Sequence, residues 1–492
     1  VLQLLHVLYG VQPRATRALP FLPPEWQDVT FSEAVTDSRE VEPEMLFVAL
    51  SGERTDGHIY LRDVISRGAR GALVARDRVA GLPEALATSE RAWAIIDPAT
   101  GNGLTTAQPD ACLLIAVDDP LMALQRLAVY HRRQLTPTVV GITGSVGKTS
   151  TKEVTAAVLR QQFRTLKNKR SFNSEVTLPT SLLRLTADHE VAVLEMGMWA
   201  PGEIRFLAQL AQPKVGIVTN VGPSHLERLG SIEAIAHAKA ELPESLPATG
   251  WCILNADDPL VAAMAQQTQA QVLTYGTGPH ADLWADQVQS YGFAGISFRA
   301  HYAGASVDLR LPLIGRHSVY LALAAAACGL VLGMGWDAII AGLNDPEAQP
   351  RLRVVRGLGD VTLIDDSYNA APVSVRAALD LLSTLEGRRV AVLGDMLELG
   401  AVEQQAHRDV GNAAAAVVDQ LVTVGERARW IAAAAQDAGM PATAITAVAT
   451  QEQALDALRE RLQPGATVLV KGSRGMALER LVAALQQPEE ER

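Results

Sequence analysis

The sequence predicts an α/β protein of three domains, and three observations carry that expectation. At 492 residues the chain exceeds one ordinary core and calls for two to four domains. Along most of its length, short apolar runs ending in polar loops alternate with helical spacing, the pattern of parallel sheets. One stretch, Thr138-Val-Val-Gly-Ile-Thr-Gly-Ser-Val-Gly-Lys-Thr-Ser150, reads as strand, glycine turn and helix, the arrangement that cradles phosphate. The expected divisions are 1–135, 137–347 and 350–492. Hydrophobic residues make up 48% and charged residues 20%, which excludes a disordered chain. A net charge of −11 excludes general nucleic-acid binding, so any anionic ligand must be held by local positive groups.

In the first division, Val1 to Gly10 reads as an amphipathic helix, since it lacks the basic leader and small-residue cleavage site of a signal peptide. Leu46 to Leu50 and Gly71 to Ala75 read as strands, with a helix over Tyr60 to Arg67. Two polar loops stand beside them, Thr36-Asp-Ser-Arg39 and Ser51 to His58. Loops at strand ends are where open α/β sheets bind ligands, although ordinary turn chemistry explains the same composition. The span Pro98 to Pro109 is a surface loop, and a helix runs from Pro120 to Gln134.

The second division opens with the glycine turn. Gly144, Ser145, Val146, Gly147, Lys148, Thr149 and Ser150 are the candidate phosphate contacts: backbone amides crowd an anion, Lys148 reaches the outer phosphates and the Thr149 hydroxyl suits Mg²⁺. The strict G-x-x-x-x-G-K-[ST] pattern is missed at Ile142, while the shorter T-G-x-x-G-K-T is complete. Val191 to Met196 reads as a strand whose end carries Glu195, a candidate Mg²⁺ ligand. Val215 to Asn220 is another, followed by Gly222-Pro-Ser-His225. A lone Glu or His in such a place is ordinarily structural; beside a phosphate loop both become candidates. Lys239 lies on a helix starting near Ser231, where a lysine is ordinarily solvated. The uncharged span Ser318 to Trp336 approaches membrane-spanning length, but its Ala and Gly content predicts a buried helix pair broken near Gly333-Met334-Gly335. The third division shows strands at Val361 to Ile364, Arg389 to Leu393, Leu421 to Val424 and Thr467 to Val470, with polar strand ends at 365–369, 394–400 and 471–474. Cys112, Cys252 and Cys328 have no metal-type spacing, which suits a reducing cytoplasm.

From the residues alone, the reading ends at a cytoplasmic, Mg²⁺-dependent, multi-domain nucleotide enzyme whose hydrolysis drives ligation, transfer or movement. Several motifs in order go further. Thr36-Asp-Ser-Arg39, the 46–58 stretch, Thr143 to Thr149, Glu195-Met-Gly197, His225-Leu-Glu227, Gly315-Arg-His317, Asp365-Asp-Ser-Tyr-Asn369, Gly394 to Gly400 and Lys471-Gly-Ser-Arg-Gly-Met476 together resemble the Mur ligases, from about residue 35 to about 485. That resemblance implies an N-terminal α/β domain for a UDP sugar, a central P-loop domain for ATP and a C-terminal Rossmann-like domain for the amino acceptor. It implies that ATP phosphorylates a peptide carboxylate and that an amine attacks the acyl phosphate.

By resemblance, Lys148 holds the β- and γ-phosphates, Thr149 and Glu195 bind one Mg²⁺, and His225 binds a second. Lys239 matches a lysine that the family often carbamylates, Arg351 meets the γ-phosphate, Asp366 holds the ribose, and His317 lies in the nucleotide motif. Ser38, Arg39, Gly52, Asp56 and His58 serve the UDP sugar; Asn369, Asp395, Glu398, Lys471, Ser473 and Arg474 serve the acceptor. The sibling that adds the third residue of the peptide typically carries an Asp-Asn-Pro-Arg acceptor motif that this chain lacks, and Gly394 to Gly400 with Lys471 to Met476 favour the member that joins D-Ala-D-Ala to a UDP-N-acetylmuramoyl-tripeptide. A sibling ligase and a weakly catalytic nucleotide-binding scaffold are the alternatives. The chain departs from the family at Ser318 and Leu321, where Asn is usual near the adenine, and at Ala371. A monomer with no membrane span and no nucleic-acid partner is expected.

Overall fold

The structure is a computed structural model that describes residues 1–52, 55–348 and 352–487. The chain divides into two compact units, one formed by 1–139, 164–196 and 205–213, the other by 140–163, 197–204 and 214–492.

The first unit holds a five-stranded parallel sheet in the order Ala34–Val35, Leu46–Val48, Gly71–Ala75, Cys112–Val117, Trp93–Ile96. Every residue of Cys112–Val117 is buried, as expected for a central parallel strand covered on both faces. The helix Pro120–Arg133 follows; Asp119 caps it by accepting from the Leu121 and Met122 N–H groups, and Pro120 occupies its first position. The N-terminal helix is shorter than its apolar run suggests, spanning Leu4–Gly10, because Leu2 and Gln3 pair with Phe31 and Thr30 as a two-residue strand. Strands Thr165–Lys167 and Val191–Glu195 pair in parallel in this unit.

The second unit holds two sheets. In one, parallel strands run in the order Thr138–Thr143 (from Val140 on), Val215–Val218, Trp251–Asn255, Gln271–Gly276 and Leu283–Ser290. Ile296–Tyr302 and Ala305–Leu311 then extend it antiparallel. Sequence reasoning left this extension out. Its hairpin turn is Ala303-Gly304, both at positive φ (49° and 81°), the two-residue turn whose twist matches the strands. The other sheet has the order Arg353–Arg356, Thr362–Asp366, Thr467–Lys471, Arg389–Gly394, Gln420–Val424, Ile445–Val448, parallel except for the first strand.

The uncharged span resolves into helices Ser318–Val331 and Trp336–Leu343, separated at Gly333 (φ 82°). Both pack on the helix Lys148–Arg160. The approach is close enough that a Cβ on Gly342 would lie 2.4 Å from the Val158 Cα, so only glycine fits there. The helix behind the glycine turn is thus clamped by an apolar layer. Among the described residues no helix is long and apolar enough to cross a membrane.

Candidate active site

The strand Thr138–Thr143 is buried from Val139 onward and delivers the chain to Gly144, where it turns sharply. Gly144 has φ 146°, and a Cβ there would lie 1.9 Å from the Thr219 Oγ1. Gly147, at φ 88°, caps the helix Lys148–Arg160 in the left-handed conformation. Between them the loop is fastened to the end of the neighbouring strand. The Ser145 N–H donates to the Asn220 carbonyl at 2.9 Å, the Val146 N–H donates to Asn220 Oδ1 at 2.9 Å, and the Val146 carbonyl accepts from Thr219 Oγ1 at 2.7 Å and Asn220 Nδ2 at 2.9 Å. Ser145 and Gly222 exchange two further bonds through the serine hydroxyl. The register pairs Val218 with Thr143 and with Leu254, so the glycine loop and the segments after 218 and 254 share one sheet edge. Thr219 and Asn220 were not singled out from sequence; a polar pair closing an apolar strand was the available signal.

Lys148 folds over the loop and donates to the Gly144 carbonyl at 2.8 Å and the Ser145 carbonyl at 3.3 Å. Lys239, on the helix Ile232–Glu244, is only 2% exposed. Burial, reinforced by the charge of Lys148, pushes its ammonium well below the ordinary lysine range. His225 stands at φ 59° just before the short helix Leu226–Leu229. Burial pushes its imidazole down, and the Lys148 and Lys239 charges add to that, against the opposing pull of Glu398. The Glu398 carboxylate lies 2.6 Å from His225 Nδ1, and the Glu227 N–H donates to the Glu398 carbonyl at 3.2 Å. The Trp199 ring lies 5.5 Å from the His225 ring, and the Arg228 guanidinium lies 4.6 Å from the Trp199 centroid. A glycine cradle at a helix N-terminus, with the Lys148 ammonium beside it, can hold a multiply charged anion. Among the described residues there is no group of three or more His, Cys, Asp or Glu side chains able to hold a metal ion.

In the C-terminal sheet, Asp366 pairs in register with Lys471, placing both at one strand edge. The buried Lys471 ammonium donates to Asp366 at 2.5 Å and to the Asn369 carbonyl at 3.0 Å. Ser473 accepts from the Leu397 N–H at 2.8 Å, tying the 394–400 loop to the 471–474 loop. Asp395 is buried and accepts from the Ala428 N–H at 2.7 Å, so its carboxylate holds the neighbouring turn. Asn369 is exposed, and Arg474 stacks over Tyr368 at 4.8 Å. His317 is exposed at the start of the Ser318–Val331 helix. Ser318 bonds to the Ile314 carbonyl, and Leu321 is buried with its methyl group 3.8 Å from where a Cβ on Gly147 would sit.

In the first unit, Glu195 ends its strand buried, with its N–H on Asn168 Oδ1 (3.1 Å) and its carboxylate accepting from Asn173 (2.7 Å). Asp37 caps the turn containing Ser38 and holds the exposed Arg39 in a fork, at 2.9 and 2.7 Å. Asp56 accepts from the His58 N–H and from His58 Nδ1, while His58 Nε2 accepts from the Ala75 N–H at 2.9 Å. His58 is therefore held as a strut between the loop and the sheet. Gly52 donates to the Thr55 carbonyl at 2.9 Å. Arg351 lies outside the described residues.

With this geometry established, similarity to known proteins is informative. Residues 142–329 match the Mur ligase middle domain and residues 350–474 match the Mur ligase, glutamate ligase domain. The UDP-N-acetylmuramoyl-tripeptide–D-alanyl-D-alanine ligase of Bacillus subtilis (strain 168) is 34% identical over 466 residues, covering 94% of each chain. The ligase of the same name from Escherichia coli (strain K12) is 36% identical over 465 residues, 94% of this chain and 95% of its own. Among solved structures, MurF from Acinetobacter baumannii superposes with a TM-score of 0.74 at 31% identity, covering 92% of each chain. MurF ligase from Thermotoga maritima in complex with ADP gives 0.73 at 26% identity, covering 93% of this chain and 97% of its own. Two matched domain families and near end-to-end likeness to these ligases lead to one conclusion: the chain belongs to the Mur ligase family.

Proposed function

We propose that the chain is an ATP-dependent ligase that joins D-Ala-D-Ala to UDP-N-acetylmuramoyl-tripeptide in peptidoglycan precursor synthesis. The observation that carries this reading is likeness over 94% of the chain to ligases of that name. In the reaction, the γ-phosphoryl group passes from ATP to a carboxylate oxygen of the tripeptide, leaving ADP and an acyl phosphate. The dipeptide amine then attacks the acyl carbon, the C–N bond forms, the amine loses a proton, and phosphate leaves with the C–O bond. Carboxylate, triphosphate and the tetrahedral state are all anionic, so the protein contributes positioning and positive charge. The cradle from Gly144 to Ser150 suits the triphosphate, and the Lys148 ammonium beside it supplies positive charge.

Side chains in this cluster fit an anion and, as they stand, not a divalent cation, because two are lysines. By the resemblance alone, Thr149, Glu195 and His225 would be the Mg²⁺ ligands, and the ion would neutralise phosphate charge. Lys239 is assigned as a carbamylated lysine: a buried amine held neutral is the form that adds CO₂, releasing a proton and becoming an anion. Burial of Lys239 supports that assignment.

In the same reading, residues 1–135 take the UDP sugar through Ser38, Arg39, Gly52, Asp56 and His58. Residues 137–347 take ATP, with Asp366 at the ribose and His317 nearby. Residues 350–492 take the dipeptide through Asn369, Glu398, Lys471, Ser473 and Arg474, with Asp395 supporting the loop from within. The chain works as a monomer in the cytoplasm, a placement supported by its buried, unpaired cysteines. The test is phosphate release with ATP, Mg²⁺ and the UDP-linked tripeptide, with and without D-Ala-D-Ala. Release that needs both substrates, with ligated product by mass, is expected. Release with a different amino acid in place of the dipeptide moves the chain to a sibling activity, and release under no combination refutes the ligase reading.

A further inference from the structure

One pocket of the first unit has no part in that reading. It encloses about 320 Å³ between the helix Pro120–Arg133, residues Phe206 and Leu210, and the segment that carries Arg14 and Arg17. That volume is at the lower end for small-molecule sites, roughly 300–1,000 Å³. Its lining has two characters. Val129, Phe206 and Leu210 give an apolar floor, and Arg14, Arg17, Arg126 and Arg133 bring four guanidinium groups to the wall. The helix presents this surface at helical spacing through Met122, Arg126, Val129 and Arg133, while Ala123, Leu124, Leu127 and Ala128 face the core.

The arginines are conspicuous in a chain of net charge −11. Among the described residues none of the four has a carboxylate partner. Arg17 is the most tightly held. Its guanidinium carbon lies 5.0 Å from the Tyr9 and Tyr130 ring centroids, its terminal nitrogen donates to the Gly10 and Gln12 carbonyls at 3.3 Å, and its buried Nε has no acceptor. A guanidinium fixed between two rings and two carbonyls is preorganised, and its charge at the pocket wall attracts an oxyanion. Four like charges around an apolar floor favour an occupant that is anionic at one end, which offsets their repulsion, and apolar at the other, which covers the floor.

We propose that this pocket binds a single-chain amphiphile with an anionic head, its phosphate or carboxylate on the arginine wall and its apolar chain on Val129, Phe206 and Leu210. A concave pocket of this size takes one chain and not a bilayer surface. The forked geometry of guanidinium favours a phosphate monoester head.

The experiment is calorimetric titration of the full chain with decyl phosphate below its micelle concentration. One saturable site is expected, weakened at least about tenfold by Arg126→Glu combined with Arg133→Glu. Leu210→Trp, which fills the floor and adds no charge, is expected to weaken it as well. Circular dichroism and melting temperature show that the variants stay folded, and Arg14→Ala at an exposed position is a third, milder probe. Inorganic phosphate and neutral decyl glucoside are expected to give no saturable site. No binding of decyl phosphate, equal binding of the glucoside, or binding unmoved by all three variants overturns the proposal. So does binding only to phosphatidylglycerol vesicles, which points instead to a membrane contact through the exposed Leu19 (74%) and Phe21 (68%).

Discussion

Substituting the two glycines of the phosphate loop by alanine separates backbone strain from steric exclusion. At Gly147 (φ 88°) the nearest atom to an added Cβ is a Leu321 methyl carbon at 3.8 Å, so Gly147→Ala meets only the left-handed backbone cost, about 1–2 kcal/mol. At Gly144 (φ 146°) the backbone lies in a region that costs a side chain about 1–3 kcal/mol. There the Cβ also falls 1.9 Å from the Thr219 Oγ1 and 3.1 Å from its Cβ, so Thr219 must move. Moving it breaks its bond to the Val146 carbonyl at 2.7 Å, worth about 0.5–1.5 kcal/mol. Either variant can relax by leaving the cradle conformation, and ADP must then restore it, so the cost appears in affinity. Titration calorimetry with ADP is expected to show a loss of about fivefold to thirtyfold for Gly147→Ala and a larger one, within about thirteenfold to two-thousandfold, for Gly144→Ala. Thr219→Ala in the Gly144→Ala background removes the clashing oxygen and recovers part of the difference. Equal losses at the two positions, or wild-type ADP affinity in Gly144→Ala, would refute the reasoning.

Lys239→Ala is expected to abolish turnover, and added acetate or propionate to restore part of it by standing in for the carbamate; the absence of any rescue counts against carbamylation. Glu398→Gln keeps the size of the side chain but removes the charge 2.6 Å from His225, and is expected to lower turnover more than it lowers melting temperature. The His6–His131 contact makes stability pH-dependent. His131 Nδ1 lies 3.2 Å from His6 Nε2, and burial followed by the charge of His131 pushes His6 down to about 4. A histidine pushed down in the folded state contributes stability that is complete above its unfolded pKa near 6.5 and lost as pH falls toward 4. Because the ring is half-buried, the loss is discounted to about 1–2 kcal/mol. Thermal melts from pH 7 to 4.5 should fall more steeply for the wild type than for His6→Gln; parallel curves remove this pair as the cause.

How much of this was legible in the sequence depended on the range of the signal. The helix start near Ser231 was readable because a serine cap is local, and Ser231 does accept from the Ala234 N–H at 3.1 Å. The break near Gly333 was readable because a glycine cluster interrupts an uncharged run that is too weakly apolar for a membrane. The antiparallel extension at 296–311 carried a period-two signal that went unread, with buried and less buried positions alternating along Ile296–Ala300. What stayed hidden is what folding alone brings together. His225 and Glu398 are 173 positions apart (398 − 225), and no spacing rule joins them. His58 was assigned to the UDP sugar on the resemblance, and no spacing rule shows that its two ring nitrogens are engaged with Asp56 and with the Ala75 N–H. Lys239, ordinarily read as solvated, is buried for the same reason: helix-face spacing cannot say which face meets the neighbouring sheet.

The contact between the 225–227 and 394–400 segments is balanced close to zero, and that balance suits a site that must admit substrates. Two non-glycine residues hold the left-handed conformation there, His225 at φ 59° and Glu398 at φ 65°, at about 1–2 kcal/mol each. Gly400 also stands at positive φ, where a Cβ would crowd the Glu227 backbone at 3.1 Å, so the segments approach at backbone distance. Against the strain stand one ion contact between partly exposed side chains, about 0.2–1 kcal/mol, and one backbone hydrogen bond from Glu227, about 0.5–1.5 kcal/mol. The two sums overlap. A contact worth much more would lock the 394–400 loop in place, and one worth much less would leave His225 without a partner in an environment that already disfavours its charge. Neutralising Glu398 tips this balance without removing an atom from the core, which is why its effect belongs in turnover and not in melting temperature.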